Sequence, residues 1–330
     1  MRCAVVGAGA WGTALADLLA RNGHETLLWA REEDVVASVN ERHENSRFLA
    51  GVVLAPSLGA TSALDRAVAD AEFIIYAAPS HVLRAVARAS AAAVAPGATL
   101  GVASKGIERE TFALMTDVIA EEVHGRPVVA VSGPSFATEV AAGQPTAVVA
   151  ASITESAALL AQRALSSSAF RVYTLDDVTG VELGGALKNV MAVASGMVEG
   201  LGLGFNSRAA LITRGLAEMT RLGVALGARP ATFAGLAGIG DLVLTCTGAL
   251  SRNRAVGVEV GKGRPLDEVL AGKETVAEGV LNAQSAHALA EREGVEMPII
   301  QAVYRTLFGG RPAREAISEL MLRELRAETD

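Results

Sequence analysis

The chain has 330 residues, 51% of them hydrophobic but only 4% aromatic, and a formal net charge of −7. That length suits two domains and the apolar fraction fills two cores; the acidic balance excludes a broad nucleic-acid or acidic-membrane surface, so positive charge for an anionic ligand must be local. A core of Ala, Val, Leu and Gly favours helices and α/β layers over an aromatic-rich β-sandwich.

In chain order, residues 3–6 read as a strand, 13–22 as a helix stopped by Gly23, and 25–29 as the next strand. A strand at 73–77 ends in Ala78-Pro79-Ser80, a helix follows over 82–93, and strands fall at 99–103, 128–131 and 147–150. Short apolar strands joined through helices predict a parallel sheet covered on both faces. The rhythm then changes. Residues 181–200, 208–226, 265–270, 279–293 and 299–307 show helical spacing without convincing strands. A boundary near Thr179 divides the chain into a doubly wound α/β domain over 1–179 and an all-helical domain over 180–330, with a charged tail at 323–330 that reads as frayed.

Cys3 and Cys246 both lie in apolar runs and read as core residues, with no disulfide and no metal spacing. The first strand begins at once, without a signal peptide, and the longest uncharged run, 89–104, is too short to span a membrane and contains Pro96 and Gly97. A cytoplasmic protein without membrane insertion is expected.

The first strand runs into Gly7-Ala8-Gly9-Ala10-Trp11-Gly12, followed by a helix. In this context G-x-G-x-x-G is a dinucleotide signal. Gly7 permits the tight turn, Gly9 admits a pyrophosphate against the backbone, and Gly12 lets the helix approach the sheet. The helix N-terminus offers unpaired N–H groups to phosphate. The second strand ends in Trp29-Ala30-Arg31, where an acidic residue would hold the ribose 2′-hydroxyl of NAD. Arg31 suits a 2′-phosphate, so NADPH is the expected preference, with NADH possible because Glu32 and Glu33 follow directly. Arg31 also fits a solvated helix start.

Only four residues are lysines: Lys105, Lys188, Lys262 and Lys273. Two of them sit in Gly-rich, apolar surroundings. Lys105, in Ala103-Ser104-Lys105-Gly106, follows a strand, where α/β sheets hold ligands; it also fits a solvated loop. Ser132-Gly133-Pro134-Ser135 follows another strand and offers backbone and a hydroxyl. Lys188 lies in Gly184-Gly185-Ala186-Leu187-Lys188-Asn189, on a helix whose Gly184 and Ala192 leave small neighbours beside the amine. A half-buried lysine there suits general acid–base work. Asp241 opens an apolar run and fits either a helix cap or a carboxylate orienting a lysine. Ser251-Arg252-Asn253 supplies hydroxyl, guanidinium and amide donors for a phosphate.

The stretches GAGAWGTALA, ASKGIE, SGPSFATEVAAGQPTA, GVELGGALKNVMAVASGM, NSRAALITRGLAEM, GLAGIGDLVLTCT and SRNR resemble the NAD(P)-dependent glycerol-3-phosphate dehydrogenase family in its bacterial form, over nearly the whole chain. Ala10 replaces a frequent serine, and VAEG at 276–279 replaces a more usual VVEG. The resemblance implies a Rossmann-type domain followed by an all-helical one, and interconversion of dihydroxyacetone phosphate and sn-glycerol 3-phosphate, which supplies the glycerophospholipid backbone. It implies Lys188 as proton donor and acceptor, with Lys105 and Asp241 beside it and Thr245 and Asn189 in support. Lys105, Lys188, Asp241, Gly133, Ser135, Ser251, Arg252 and Asn253 correspond to substrate positions. Gly7, Gly9, Ala10, Trp11, Gly12, Arg31, Lys105, Ala137, Arg252, Val276 and Glu278 correspond to cofactor positions. It also implies a small phosphorylated three-carbon substrate and a homodimer. Two other readings remain open: a β-hydroxyacid or ketopantoate type reductase, separated by its indifference to phosphate, and a dinucleotide sensor, which would oxidise no cofactor.

Overall fold

Successive residues of a strand point to opposite faces, and in β1 (Arg2–Val6) both sets are buried. Cys3 and Val5 join one apolar cluster with Leu15, Leu19 and Leu28; Ala4 and Val6 join another with Ile74, Tyr76 and Leu100. The sheet must therefore be covered twice. Its other strands are β2 (Glu25–Trp29), β3 (Gly59–Thr61), β4 (Phe73–Tyr76), β5 (Thr99–Val102), β6 (Val128–Ser132), β7 (Thr146–Ala151) and β8 (Phe170–Leu175). They lie in the order β3-β2-β1-β4-β5-β6-β7-β8, with a switch point between β1 and β4. The covering helices are α1 (Ala10–Arg21), α2 (Glu33–Arg42), α3 (Leu64–Val68), α4 (Leu83–Ser90), α5 (Met115–Glu122), α6 (Ala137–Ala141) and α7 (Glu155–Leu165). This is a computed structural model, and it describes residues 1–272, 277–325 and 327–328.

The sheet departs from the expected parallel pattern at one place. β7 runs antiparallel to β6, because the link between them holds only the five-residue α6 and turns the chain straight back. Two strands escaped the sequence reading. β3 is three residues of Gly-Ala-Thr, and β8 alternates buried Phe170 and Val172 with exposed Arg171 and Tyr173 in place of an apolar run.

The remaining helices are α8 (Val178–Gly200), α9 (Phe205–Ala225), α10 (Pro230–Phe233), α11 (Asp241–Thr247), α12 (Arg252–Gly261), α13 (Leu266–Leu270), α14 (Glu278–Glu293), α15 (Pro298–Phe308) and α16 (Ala313–Met321). Two compact units result: Met1–Gly185 with Ala228–Asp241, and Ala186–Gly227 with Leu242–Asp330. The change of unit thus comes inside α8, a few residues after Thr179, and a return segment rejoins the sheet unit. Asp177 explains both features. Its carboxylate accepts the Gly180 N–H (3.0 Å), the Arg229 N–H (2.9 Å) and the Thr232 hydroxyl (2.5 Å). Val181 and Ala237 also join Ala130 and Val149 in one apolar cluster. The stretch Pro230–Thr247 has the length and hydropathy of a membrane span, but it folds as α10, a π turn at Leu236–Gly240 and α11.

The helical unit closes on Met219, Leu222, Val256, Ala283, Ala286, Leu289, Ile300 and Val303, all buried. Glu218 is buried among them, at 3% exposure. It accepts the Ile299 (2.8 Å) and Ile300 (3.3 Å) N–H groups and so caps the first turn of α15. Burial pushes its carboxyl up to about 7, against the opposing pull of those N–H groups and of Arg221 and Arg323. Folding thus favours the protonated acid. The contribution of Glu218 is full at acid pH and is lost as pH rises through about 7. Glu218→Gln keeps a neutral acceptor at every pH. Relative to the parent, its unfolding free energy is expected to rise by roughly 1–3 kcal/mol between pH 5 and pH 8, measured by urea titration. A difference that stays flat would mean that the carboxyl does not titrate in this range.

Candidate functional site

The glycine loop sits at the switch point, between the ends of β1 and β4. A side chain on Gly7, whose φ is +119°, would come within 2.9 Å of the Ala77 and Ala78 backbone, and one on Gly12 would overlap the Gly7 carbonyl. Gly9 is different: nothing lies within 4 Å of where its Cβ would be. Gly7 and Gly12 therefore let helix meet strand, while Gly9 leaves an open backbone approach. No side chain caps the N-terminus of α1, which begins at Ala10, and the indole Nε1 of Trp11 is buried without a hydrogen-bond partner. Open backbone, uncapped N–H groups and an orphaned donor fit the pyrophosphate end of a dinucleotide. Past the end of β2, Arg31 is exposed and pairs with Glu32 at 2.8 Å.

Lys105 follows β5 on a turn pinned by the Ser104 hydroxyl, which donates to the Ala78 carbonyl (2.6 Å). Its Nζ meets Asp241 Oδ2 at 2.7 Å and the Gly133 carbonyl at 3.4 Å. Asp241 is 1% exposed, and the Lys105 side chain 16%. Lys105 is thus turned away from solvent and paired with a carboxylate, while Asp241 both opens α11 and holds that lysine. Gly133 adopts φ +141°, with Val148 too close for a side chain, and its carbonyl also accepts the Ser135 hydroxyl (2.9 Å). Ala137 opens α6 and packs on the same core as α1. Gly7, Lys105, Gly133 and Ser135 thus gather at the carboxyl ends of β1, β5 and β6.

The two glycines before Lys188 turn out to be packing residues. A Cβ on Gly184 would overlap the Ala237 carbonyl, and one on Gly185 would lie 2.9 Å from Ser132 Oγ and 3.4 Å from the Lys105 stem. The expected free space beside the amine is therefore not what they provide.

In the helical unit Lys188 is buried, at 7% exposure, more deeply than the expected half-burial. Its ammonium donates to Thr245 Oγ1 at 2.8 Å. Asn189, next along α8, accepts the Asn253 side-chain amide (2.9 Å), and the Asn253 carbonyl oxygen accepts the Gly279 N–H (2.9 Å). Asn253 is thus chiefly an anchor between α8 and α14, with one amide N–H left for a ligand. Ser251 caps α12 by accepting the Arg254 N–H (3.2 Å), which leaves its hydroxyl proton for a ligand. Arg252, first in α12, is exposed, and the carboxylate acting on its charge is Glu278, first in α14. Val276 lies outside the described residues.

Three residues at these positions were not singled out from the sequence. Glu182 is buried and accepts the Thr116 N–H (2.9 Å) and hydroxyl, so it holds the start of α5; burial pushes its carboxyl up to about 7. One charge in the apolar GVELGG stretch was its signal. Asn282 reaches the Ala186 carbonyl (3.3 Å) from α14. Asn45 had no local signal, being far from the glycines in sequence. It is fully buried and donates to the Ala8 carbonyl and the Thr13 hydroxyl, both at 2.8 Å, clamping the glycine loop from outside. Asn45→Ala is expected to weaken dinucleotide binding roughly 3- to 10-fold, read by fluorescence titration with NADPH. Unchanged affinity would show that the loop needs no clamp.

Against known proteins, residues 2–158 match the family model described as NAD-dependent glycerol-3-phosphate dehydrogenase N-terminus, and residues 177–318 the model of its C-terminus. A relative from Geobacter sulfurreducens, named glycerol-3-phosphate dehydrogenase (NAD(P)+), is 54% identical over 99% of this chain and 98% of its own. One of the same name from Geobacter sp. strain M21 is 53% identical, with the same coverage. The crystal structure of glycerol-3-phosphate dehydrogenase from Coxiella burnetii superposes with a TM-score of 0.94 at 39% identity, covering 98% of this chain and 99% of that one. The glycine loop, the buried lysines and the helical second half thus have one common origin: the chain belongs to the NAD-dependent glycerol-3-phosphate dehydrogenase family.

Proposed function

We propose that Lys188 exchanges the proton at the C2 oxygen as this NAD(P)-dependent dehydrogenase interconverts dihydroxyacetone phosphate and sn-glycerol 3-phosphate. The observation that carries this role is the deep burial of its ammonium in an apolar helix, against a threonine hydroxyl. Buried titratable groups cluster at functional sites, where their environment sets their chemistry. A nicotinamide dinucleotide held by the glycine loop would supply the hydride to C2, or accept it in the reverse direction. As the carbonyl π pair moves onto oxygen, Lys188 gives that oxygen a proton from Nζ, and the amine regains one from solvent. In the reverse direction the amine removes the hydroxyl proton. Thr245 orients Nζ, and Asn189 steadies the helix beside it.

Lys105 is proposed to place positive charge at the same oxygen, with Asp241 fixing its direction. Arg252 grips the phosphate with help from Ser251 and the remaining N–H of Asn253, while Gly133 and Ser135 contact the substrate. The glycine loop with Ala10 and Trp11 holds the dinucleotide, together with Arg31, Ala137, Val276 and Glu278; Lys105 and Arg252 also reach it. Arg31 favours NADPH over NADH. The product feeds glycerophospholipid synthesis in the cytoplasm, and the active form is a homodimer.

Lys188→Ala is expected to lower kcat by about 10²–10⁴ while the Kd for NADPH stays within roughly twofold. Near-normal turnover in the nicotinamide absorbance assay would remove Lys188 from the chemistry. Arg31→Ala is expected to raise the KM for NADPH roughly tenfold and to lower that for NADH, because Glu32 is released to the ribose hydroxyls. Equal effects on the two cofactors would place the 2′-phosphate elsewhere.

A further inference from the structure

Arg252 and Arg254 stand two residues apart in the first turn of α12, so they point to different sides of the helix. Arg252 is exposed, whereas the Arg254 side chain is turned inward, at 15% exposure. Its Nη1 meets Glu199 Oε2, its Nε donates to the Gly248 carbonyl (3.2 Å), and its backbone N–H donates to the Ser251 hydroxyl (3.2 Å). The same carboxylate oxygen of Glu199 takes Arg208 Nη2 at 2.7 Å. One carboxylate between two guanidiniums leaves a net positive charge beneath the Ser251–Asn253 turn.

Glu199 lies on α8, roughly three turns beyond Lys188. Along that stretch α8 and α12 meet backbone to backbone. A side chain on Gly196 would overlap the Arg254 carbonyl, one on Gly200 the Val258 carbonyl, and one on Gly257 the Val193 carbonyl; Gly261 would stand 2.8 Å from Met197 Cα. The face formed by Asn189, Val193, Gly196 and Gly200 therefore lies on α12, with backbone against backbone at the two glycines. Lys188 and Arg252 are carried by this one helix pair.

We propose that Arg254, held by Glu199, is a positioning residue that sets Arg252 and the Ser251–Asn253 turn at the height of the substrate phosphate relative to Lys188. The glycine contacts fix the spacing of the helices, and the Arg254 fork fixes where α12 begins. Lysine cannot replace it, because one ammonium cannot engage Glu199 and Gly248 in the same fork. This inference rests on the reading that Arg252 grips the phosphate.

The test compares Arg254→Lys, Glu199→Gln, Arg252→Ala and the double variant Arg252→Ala/Arg254→Lys, using dihydroxyacetone phosphate and unphosphorylated dihydroxyacetone. Arg254→Lys and Glu199→Gln are each expected to raise the KM for the phosphorylated ketone roughly 10- to 100-fold. Their KM for NADPH, and their kcat/KM for the unphosphorylated ketone, stay within roughly twofold of the parent. In the Arg252→Ala background Arg254→Lys should add nothing. Equal losses with both ketones, an unchanged KM, or a full loss in the Arg252→Ala background would each overturn the proposal. Glu199→Gln decides alone if Arg254→Lys does not fold. An Arg252→Ala enzyme with a normal KM would instead remove the phosphate reading itself, a result seen without touching Arg254.

Discussion

Where two backbones must touch, neither can carry a side chain at the point of contact, and this protein meets that constraint with glycine at each place that matters for chemistry. Gly7 and Gly12 bring α1 onto the end of β1, so that the helix N-terminus opens at the switch point of the sheet. Gly184 lies on the Ala237 carbonyl, and Gly185 on Ser132 and the Lys105 stem. Farther along α8, Gly196 and Gly200 meet α12, whose own Gly257 and Gly261 answer them. Such contacts have little compliance, because displacing a carbonyl moves a whole helix and not just a rotamer. The buried polar groups are placed by these fixed distances.

Burial also sets the electrical character of those groups. Lys105 is matched by a carboxylate, while Lys188 leans on a hydroxyl at 2.8 Å. Each contact fixes the direction in which its ammonium points. Glu182 and Glu218 show another use of a buried ionisable group. Each accepts backbone N–H groups at the start of a helix, and burial raises each carboxyl to about 7. They anchor α5 and α15 at some expense in stability at alkaline pH.

Local patterns made much of this architecture readable. The strands at 25–29 and 99–103 and the long helices of the second half announced themselves through apolar runs and helical spacing, and Lys188, Asp241 and the glycine loop through charge or glycine in apolar surroundings. What escaped was set by distant partners. β3 is too short to show a period, and β8 hides one face of its alternation behind Arg171 and Tyr173. The antiparallel turn of β7 depends on the length of a link, not on composition. Asn45 and Glu199 gain their meaning only from Ala8, Thr13, Arg208 and Arg254, residues that the fold brings to them. The glycines of α8 were visible as an anomaly, yet the sequence alone could not say whether they made room for a ligand or for a carbonyl.

The proposed preference for NADPH turns on a single ion pair between an exposed guanidinium and a half-buried carboxylate. Arg31 gives both Nε and Nη2 to one oxygen of Glu32. A pair at the surface with one partner fully in solvent is worth about 0–1 kcal/mol, so a 2′-phosphate carrying more charge than a carboxylate can take the guanidinium from it at little cost. NADH offers no such group. To use Glu32 for its ribose hydroxyls it would have to compete with Arg31 for the same carboxylate. The pair therefore acts against one cofactor while yielding to the other, and because the bond it gives up is weak, the discrimination it supports is modest and fades as salt screens the phosphate.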